Sequence, residues 1–311
     1  EFFSDDPQAA LKNLPVEIVE KLKAYERKSD LARLTGIDDG EEEMILDLSV
    51  KKDMKKGWMD NFLGGMGSKK RYEVANTMNR IRENSQLTVI ANWNNTNNQG
   101  FSELQQQSSN ATGNTRGRAG MGTSRSLGFN FSKDWGNVKF RSNVQYSGTD
   151  REEESKTVTD NFMKAEKSIT NSTSSSRNRN NGVTGNAYLE WKIDTVTNLI
   201  FRPTFRYSTA DRRGASYQKS WSGEEELNEK ESSNWSESSQ YSLALMLQVN
   251  RKLNTKGRNV ALKLDYGTNA STSDRLNYAT TRYFKTGTEK ILNQKIDNKT
   301  DGDNYRIQLV Y

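Results

Sequence analysis

The chain has 311 residues, with 46 Lys and Arg against 40 Asp and Glu for a net charge of +6, 32% hydrophobic residues, no His and no Cys. Without His and Cys there is no imidazole base, thiol nucleophile, Cys/His zinc site or disulfide, so any chemistry falls to carboxylates, Lys, Tyr or Ser. No stretch approaches the roughly 20 apolar residues of a spanning helix. The abundant charges of both signs read as hydrated surface, and nucleic acid is not expected as a partner.

In chain order, residues 6–14 predict a short helix, because Asp6 can cap it, Pro7 suits its first position and Pro15 stops it. Residues 16–25 fit either a helical turn running into a strand or a strand alone. Residues 44–50 predict a strand, with Met44, Leu46, Leu48 and Val50 on one side and Ile45, Asp47 and Ser49 on the other. Residues 1–56 thus form a small α+β piece. Its opening, Glu1 to Pro7, has neither an initiator Met nor the basic-then-apolar order of a signal peptide, and it reads as the interior of a longer protein.

From Gly57 onward, two-residue alternation dominates. Weak strands are predicted at 58–66 and 72–80. In 87–93, Leu87, Val89, Ala91 and Trp93 oppose Thr88 and Asn92, and in 127–132 Leu127, Phe129 and Phe131 oppose Gly128 and Asn130. Val138, Phe140, Val144 and Tyr146 oppose Lys139, Arg141, Asn143 and Gln145, and Ala187, Leu189, Trp191 and Ile193 oppose Glu190 and Lys192. The pattern returns at 199–207, 241–249, 260–266 and 305–311, giving about ten strands of the length a tilted membrane-crossing strand needs.

Short turns are predicted at 82–85, 134–137, 194–198 and 254–258, and long hydrophilic loops at 96–123, 148–182, 209–239 and 268–303. Tight turns at one end and long loops at the other suit an outer-membrane β-barrel. Trp93, Tyr146, Tyr207, Tyr241, Tyr266 and Tyr305 fall at the long-loop ends, and Trp58, Trp135 and Trp191 near the short-turn end, as two aromatic girdles would. Pro203 lies mid-strand on the apolar side and predicts a bulge or a displaced strand start.

The run Asp38-Asp39-Gly40-Glu41-Glu42-Glu43 lacks the alternating ligands of a calcium loop and reads as a solvated turn. Glu152 to Glu154 and Glu224 to Glu226 read as loop-hydrating charge. Arg177-Asn178-Arg179 and Lys51, Lys52, Lys55 and Lys56 lack the interleaved aromatics of single-strand nucleic-acid binders. Asn110-Ala111-Thr112 and Asn234-Trp235-Ser236 match glycosylation triplets that such composition produces by chance. Lys139, Arg141, Glu190, Lys192, Arg202, Arg206, Lys263, Asp265 and Arg306 would line a lumen. None of them is singled out as a ligand-binding residue, and no catalytic, cofactor or metal residue is nominated.

The segments Glu1-Phe2-Phe3-Ser4-Asp5-Asp6-Pro7, Ala10-Leu11-Lys12-Asn13-Leu14-Pro15, Lys28-Ser29-Asp30 and Thr35-Gly36-Ile37-Asp38-Asp39-Gly40 resemble the last part of the plug in TonB-dependent outer-membrane receptors of Bacteroidota. Residues 44–52 are similar to the final plug strand, and Arg80-Ile81-Arg82-Glu83-Asn84, Asn92-Trp93-Asn94-Asn95 and Asn98-Gln99-Gly100-Phe101 to the first barrel hairpins. Beyond Phe101 the likeness is one of pattern. It implies a transmembrane antiparallel β-barrel, partial at about ten strands, with residues 1–56 as the C-terminal part of a small α+β plug and residues 57–311 as the first part of the barrel. It further implies a cell-outer-membrane location, with the plug segment within the barrel or on its periplasmic side, and uptake of a scarce solute such as a siderophore, glycan or peptide. The partners implied are outer-membrane lipid and a TonB-type energy-transducing complex, with room for a surface lipoprotein. No cofactor is implied, and the chain is not expected to be an enzyme. Two alternatives stand beside this: a complete small outer-membrane barrel acting as a pore or adhesin, which requires the strands at Trp58 and Tyr305 to pair, and a soluble secreted β-protein that binds glycans.

Overall fold

The computed structural model describes residues 19–29, 32, 42–50, 56–96, 121–162, 167–253 and 258–311. The helix expected at 6–14, residues 38–41 of the acidic run, Lys51, Lys52, Lys55 and the Asn110 triplet lie outside these residues, while Glu42 and Glu43, expected in a solvated turn, are paired strand opposite Lys28 and Arg27. Strands β1 (Val19–Lys28) and β2 (Glu42–Val50) pair antiparallel, with Leu22 opposite Leu48. The choice left open at 16–25 is therefore a strand where it is described.

The remaining strands form one ten-stranded antiparallel sheet. They are β3 (Gly57–Gly67), β4 (Arg71–Arg82), β5 (Ser85–Asn94), β6 (Met121–Asp134), β7 (Val138–Phe162), β8 (Lys167–Lys192), β9 (Thr197–Ser222), β10 (Glu225–Lys252), β11 (Asn259–Tyr283) and β12 (Thr288–Val310). Each strand pairs with its neighbour in sequence, and β3 and β12 are the two edges. The β3–β12 pairing that a closed ten-stranded barrel needs is absent among the described residues.

Tight turns lie where they are expected between β4 and β5, β6 and β7, and β8 and β9. Asp134 accepts the Gly136 amide at 2.7 Å in the second. In the third, Asp194 accepts the amides of Val196 and Thr197 at 2.7 and 2.6 Å. Residues 254–257 and 97–120, parts of a predicted turn and a predicted loop, are not among the described residues.

The other three long loops are corrected by the structure. Residues 148–182, 209–239 and 268–303 are overwhelmingly strand, continuing β7 to β12 in register to the far end of the sheet. Two of the hairpins they build end in tight turns, with Gly223 at φ 60° and Gly287 at φ 63°, a left-handed backbone that glycine adopts without strain. The ladder needs only backbone amides and carbonyls, so Ser, Thr and Asn serve as well as Val.

Pro203 does not produce the expected bulge. It pairs with Leu245 in unbroken register on the β10 side, while towards β8 the pairing lapses between Asn186↔Thr204 and Leu189↔Phe201 and resumes in the same register. A missing donor interrupts one ladder locally without shifting it.

Candidate functional site

The register divides the large sheet into two chemically opposite faces. On one, Leu87 faces Phe131, Phe129 faces Val144, and Phe140 faces Leu189. The same face continues through Phe201 opposite Leu247, Leu247 opposite Leu264, and Leu264 opposite Ile307. None of these large side chains is buried, and Phe129 is 43% exposed, Val144 47% and Ile307 71%. The other face carries the sheltered residues, and they are mostly polar: Asn79, Thr88, Ser124, Ser126, Asn130, Asn143, Glu190, Gln248 and Asn250 are buried. A water-soluble sheet buries its apolar face, and this one does the reverse.

The apolar band is bounded by aromatics. In β9 it runs from Leu199 to Tyr207, about 26 Å along the strand at roughly 3.3 Å per residue, or about 20 Å along the axis of a barrel whose strands tilt by about 40°. At its upper edge Tyr207 faces Tyr241, and Tyr266 faces Tyr305. On β5 Trp93 stacks edge-on with Tyr72 at 6.2 Å and carries Arg125 at 5.9 Å. At the short-turn edge Arg80 lies 5.1 Å over Trp58 and Lys133 4.9 Å over Trp135. Rings paired with cations at both margins suit the level of lipid headgroups.

Above the tyrosines the same face becomes charged. Arg177 grips Asp150 through two nitrogens at 2.9 and 2.7 Å and reaches Glu152 at 3.1 Å, while Arg179 contacts Asp150 at 3.0 Å. The Arg177 hydrogen bond, reinforced by Arg179, holds the Asp150 carboxyl below its ordinary range. Arg213 pairs with Asp211, Lys219 with Glu226, Arg282 with Glu289 and Lys295 with Asp297. Cations on this side are largely neutralised by neighbouring acids.

The nine side chains expected to line a lumen all fall on the polar face by register. Three converge with a residue the sequence did not single out. Tyr188 is flanked by Arg141 at 5.5 Å and Arg202 at 5.0 Å, and its hydroxyl donates to Glu190 at 3.0 Å. Two guanidinium planes, a phenol ring and a 5% exposed carboxylate thus form one connected group across β7, β8 and β9. Tyr188 betrayed itself in the sequence only by being an aromatic out of phase with Ala187 and Leu189. Asp265 stands opposite Arg306 in register, Lys263 opposite Gln248, and Lys192 is exposed at the end of its strand.

Two hollows accompany the faces. One of about 460 Å³ lies at the short-turn end, lined by Arg82, Glu83, Ser85, Lys133, Lys139 and Arg141. The other, of about 530 Å³, lies beyond the tyrosines among Glu154, Thr173, Ser216, Tyr217, Glu231 and Tyr278. Among the described residues no group of three or more acidic side chains is placed to hold a metal ion. No family model matches the chain, and neither does any curated protein. What stands is an almost all-β chain built on one large antiparallel sheet, with its polar side sheltered and its apolar side exposed.

Proposed function

We propose that the large sheet is wall of an outer-membrane β-barrel, and that the chain belongs to a receptor that takes up a scarce solute with TonB-type energy coupling. The observation that carries this is the inverted amphipathic sheet: an exposed apolar band about 20 Å tall, aromatic margins, and a sheltered polar face. Lipid is the solvent in which that arrangement lowers free energy. The extension of β7 to β12 far beyond the tyrosines at one end alone supports the same reading. In it, residues 1–56 are plug, residues 57–311 are barrel, and strands beyond the β3 and β12 edges complete the wall, because lipid cannot satisfy unpaired backbone groups.

The test is fractionation followed by heat-modifiability. The protein should sediment with outer membranes, require detergent for release, and migrate faster on a gel when unheated. Recovery in the soluble fraction without detergent would overturn the proposal. Uptake itself is tested by growth of a deletion strain on defined iron and carbon sources, where loss of growth on a single nutrient is expected and unaltered growth on all of them counts against a transport role.

A further inference from the structure

On the barrel reading above, we propose that the polar face of the projecting half binds an acidic oligosaccharide, held by a row of three arginines. Arg151 on β7, Asn178 on β8, Arg212 on β9, Ser236 on β10 and Arg275 on β11 stand in one straight cross-strand row. The three guanidiniums occupy alternate strands, so their spacing is about 10 Å at the usual inter-strand distance. Two hydrogen-bonding side chains fill the gaps.

The row is cationic in a way its surroundings do not cancel. Of the same-face neighbours of these arginines, along their own strands and on the strands beside them, Glu153 alone is acidic; the others include Asn180, Ser176, Ser238, Asn234 and Asn277. Arg212 and Arg275 are exposed, and the Nη1 of Arg151 is shielded from solvent without a hydrogen-bond partner. Below the hairpin tips, the acidic side chains on the polar face of β7 to β12 are Glu153, Glu190 and Asp265, whereas on the opposite face arginines of the same strands are paired with carboxylates. The near-balanced composition conceals a charge sorted by face.

Such a row selects its ligand by charge and by period. Guanidiniums bind carboxylate or sulfate through paired hydrogen bonds. A repeat of about 10 Å is comparable to one disaccharide, so a chain bearing an acidic group on every second sugar meets each arginine in turn. Asn178, Ser236 and the surrounding Asn and Ser suit sugar hydroxyls. Compact anions reach a single arginine, and neutral glycans lack the charges.

The full chain in detergent, at low ionic strength, is titrated calorimetrically with a hexasaccharide of alternating uronic acid and neutral sugar, with a neutral hexasaccharide, and with inorganic phosphate. The acidic hexasaccharide should bind at least tenfold more tightly than either of the others. R212Q should weaken it about tenfold and R151Q/R212Q/R275Q should abolish it, while R282Q, an arginine paired on the opposite face, should leave it unchanged. Equal binding of neutral and acidic hexasaccharides, equal binding of phosphate, or unaltered affinity in R151Q/R212Q/R275Q overturns the proposal while the membrane reading stands. Recovery of the wild-type protein as a soluble species overturns the membrane reading and this proposal with it.

Discussion

The lower and upper halves of β7 to β12 continue one another in strand register and differ chiefly in side chains. In the lower half, Leu245 stands between Pro203 and Tyr266 on the apolar face; in the upper half, Trp235 stands between Arg213 and Leu276 and is followed two residues on by Glu237, opposite Asp211 and Asp274. The polar face changes far less, from Asn143 and Gln248 below to Ser216 and Ser232 above, where those two hydroxyls share a hydrogen bond of 2.7 Å. The backbone carries the strand through both halves, and the change of chemistry lies in the side chains of the apolar face. The boundary falls at the tyrosines.

Substitutions that trade the two chemistries should break this comparison most strongly. Leu245→Arg places a cation in the middle of the apolar band and should cost about 2–4 kcal/mol of membrane-folded stability, whereas Leu276→Arg on the same face of the projecting half should stay within about 0.5 kcal/mol. Urea titrations in lipid vesicles measure both, and equal costs would remove the boundary.

A smaller effect is expected at the hairpin tip. Gly223→Val forces a β-branched residue into a left-handed backbone and should cost about 1–2 kcal/mol, confined to the upper half. Hydrogen exchange should show amides near Ser222 and Glu225 losing protection while those of Leu243 to Leu247 keep theirs.

Asp150→Ala removes the shared acceptor of Arg177 and Arg179. Because Arg177 is 42% exposed, water screens much of the pair and the loss should be about 0.5–1 kcal/mol. The double variant with Arg177→Ala should cost less than the sum of the two single changes, since both lose the Asp150–Arg177 pair.

The smallest effect belongs to a short turn. The amides of Val196 and Thr197, together with the Thr197 hydroxyl, hold the Asp194 carboxyl below its ordinary pKa of 3.8. A depressed folded-state pKa means the contribution is whole above that ordinary value and fades as pH falls through the lower one. Protection factors at Val196 and Thr197, taken against the intrinsic exchange rate at each pH, should therefore fall on acidification in the wild type, and Asp194→Ala should remove that fall.

Much of the lower half was legible in the sequence because its two faces carry side chains of opposite chemistry. Leu199, Phe201 and Tyr207 against Arg202, Thr204 and Arg206 give a contrast that reads directly as a strand. The upper half was missed because both of its faces are largely hydrophilic. A stretch such as Ser172-Thr173-Ser174-Ser175-Ser176 has no hydropathy contrast to alternate, and it passes for a loop although it is paired throughout. The polar-face residues at 139–141 and 202–206 followed from parity alone. Arg212 and Arg275 follow from the same parity once the strand is known to continue, and Tyr188 required the geometry of its two arginines.

The order of the strands has a consequence for how the molecule is made. Every strand in the large sheet pairs with the one synthesised just before or just after it, and the most distant partners, Asn228 and Tyr283, are still joined by a single hairpin. Assembly needs no search across the chain: each added strand meets a template already in place, so a partly built sheet contains only native pairs. Errors in such a process truncate the wall and do not scramble it.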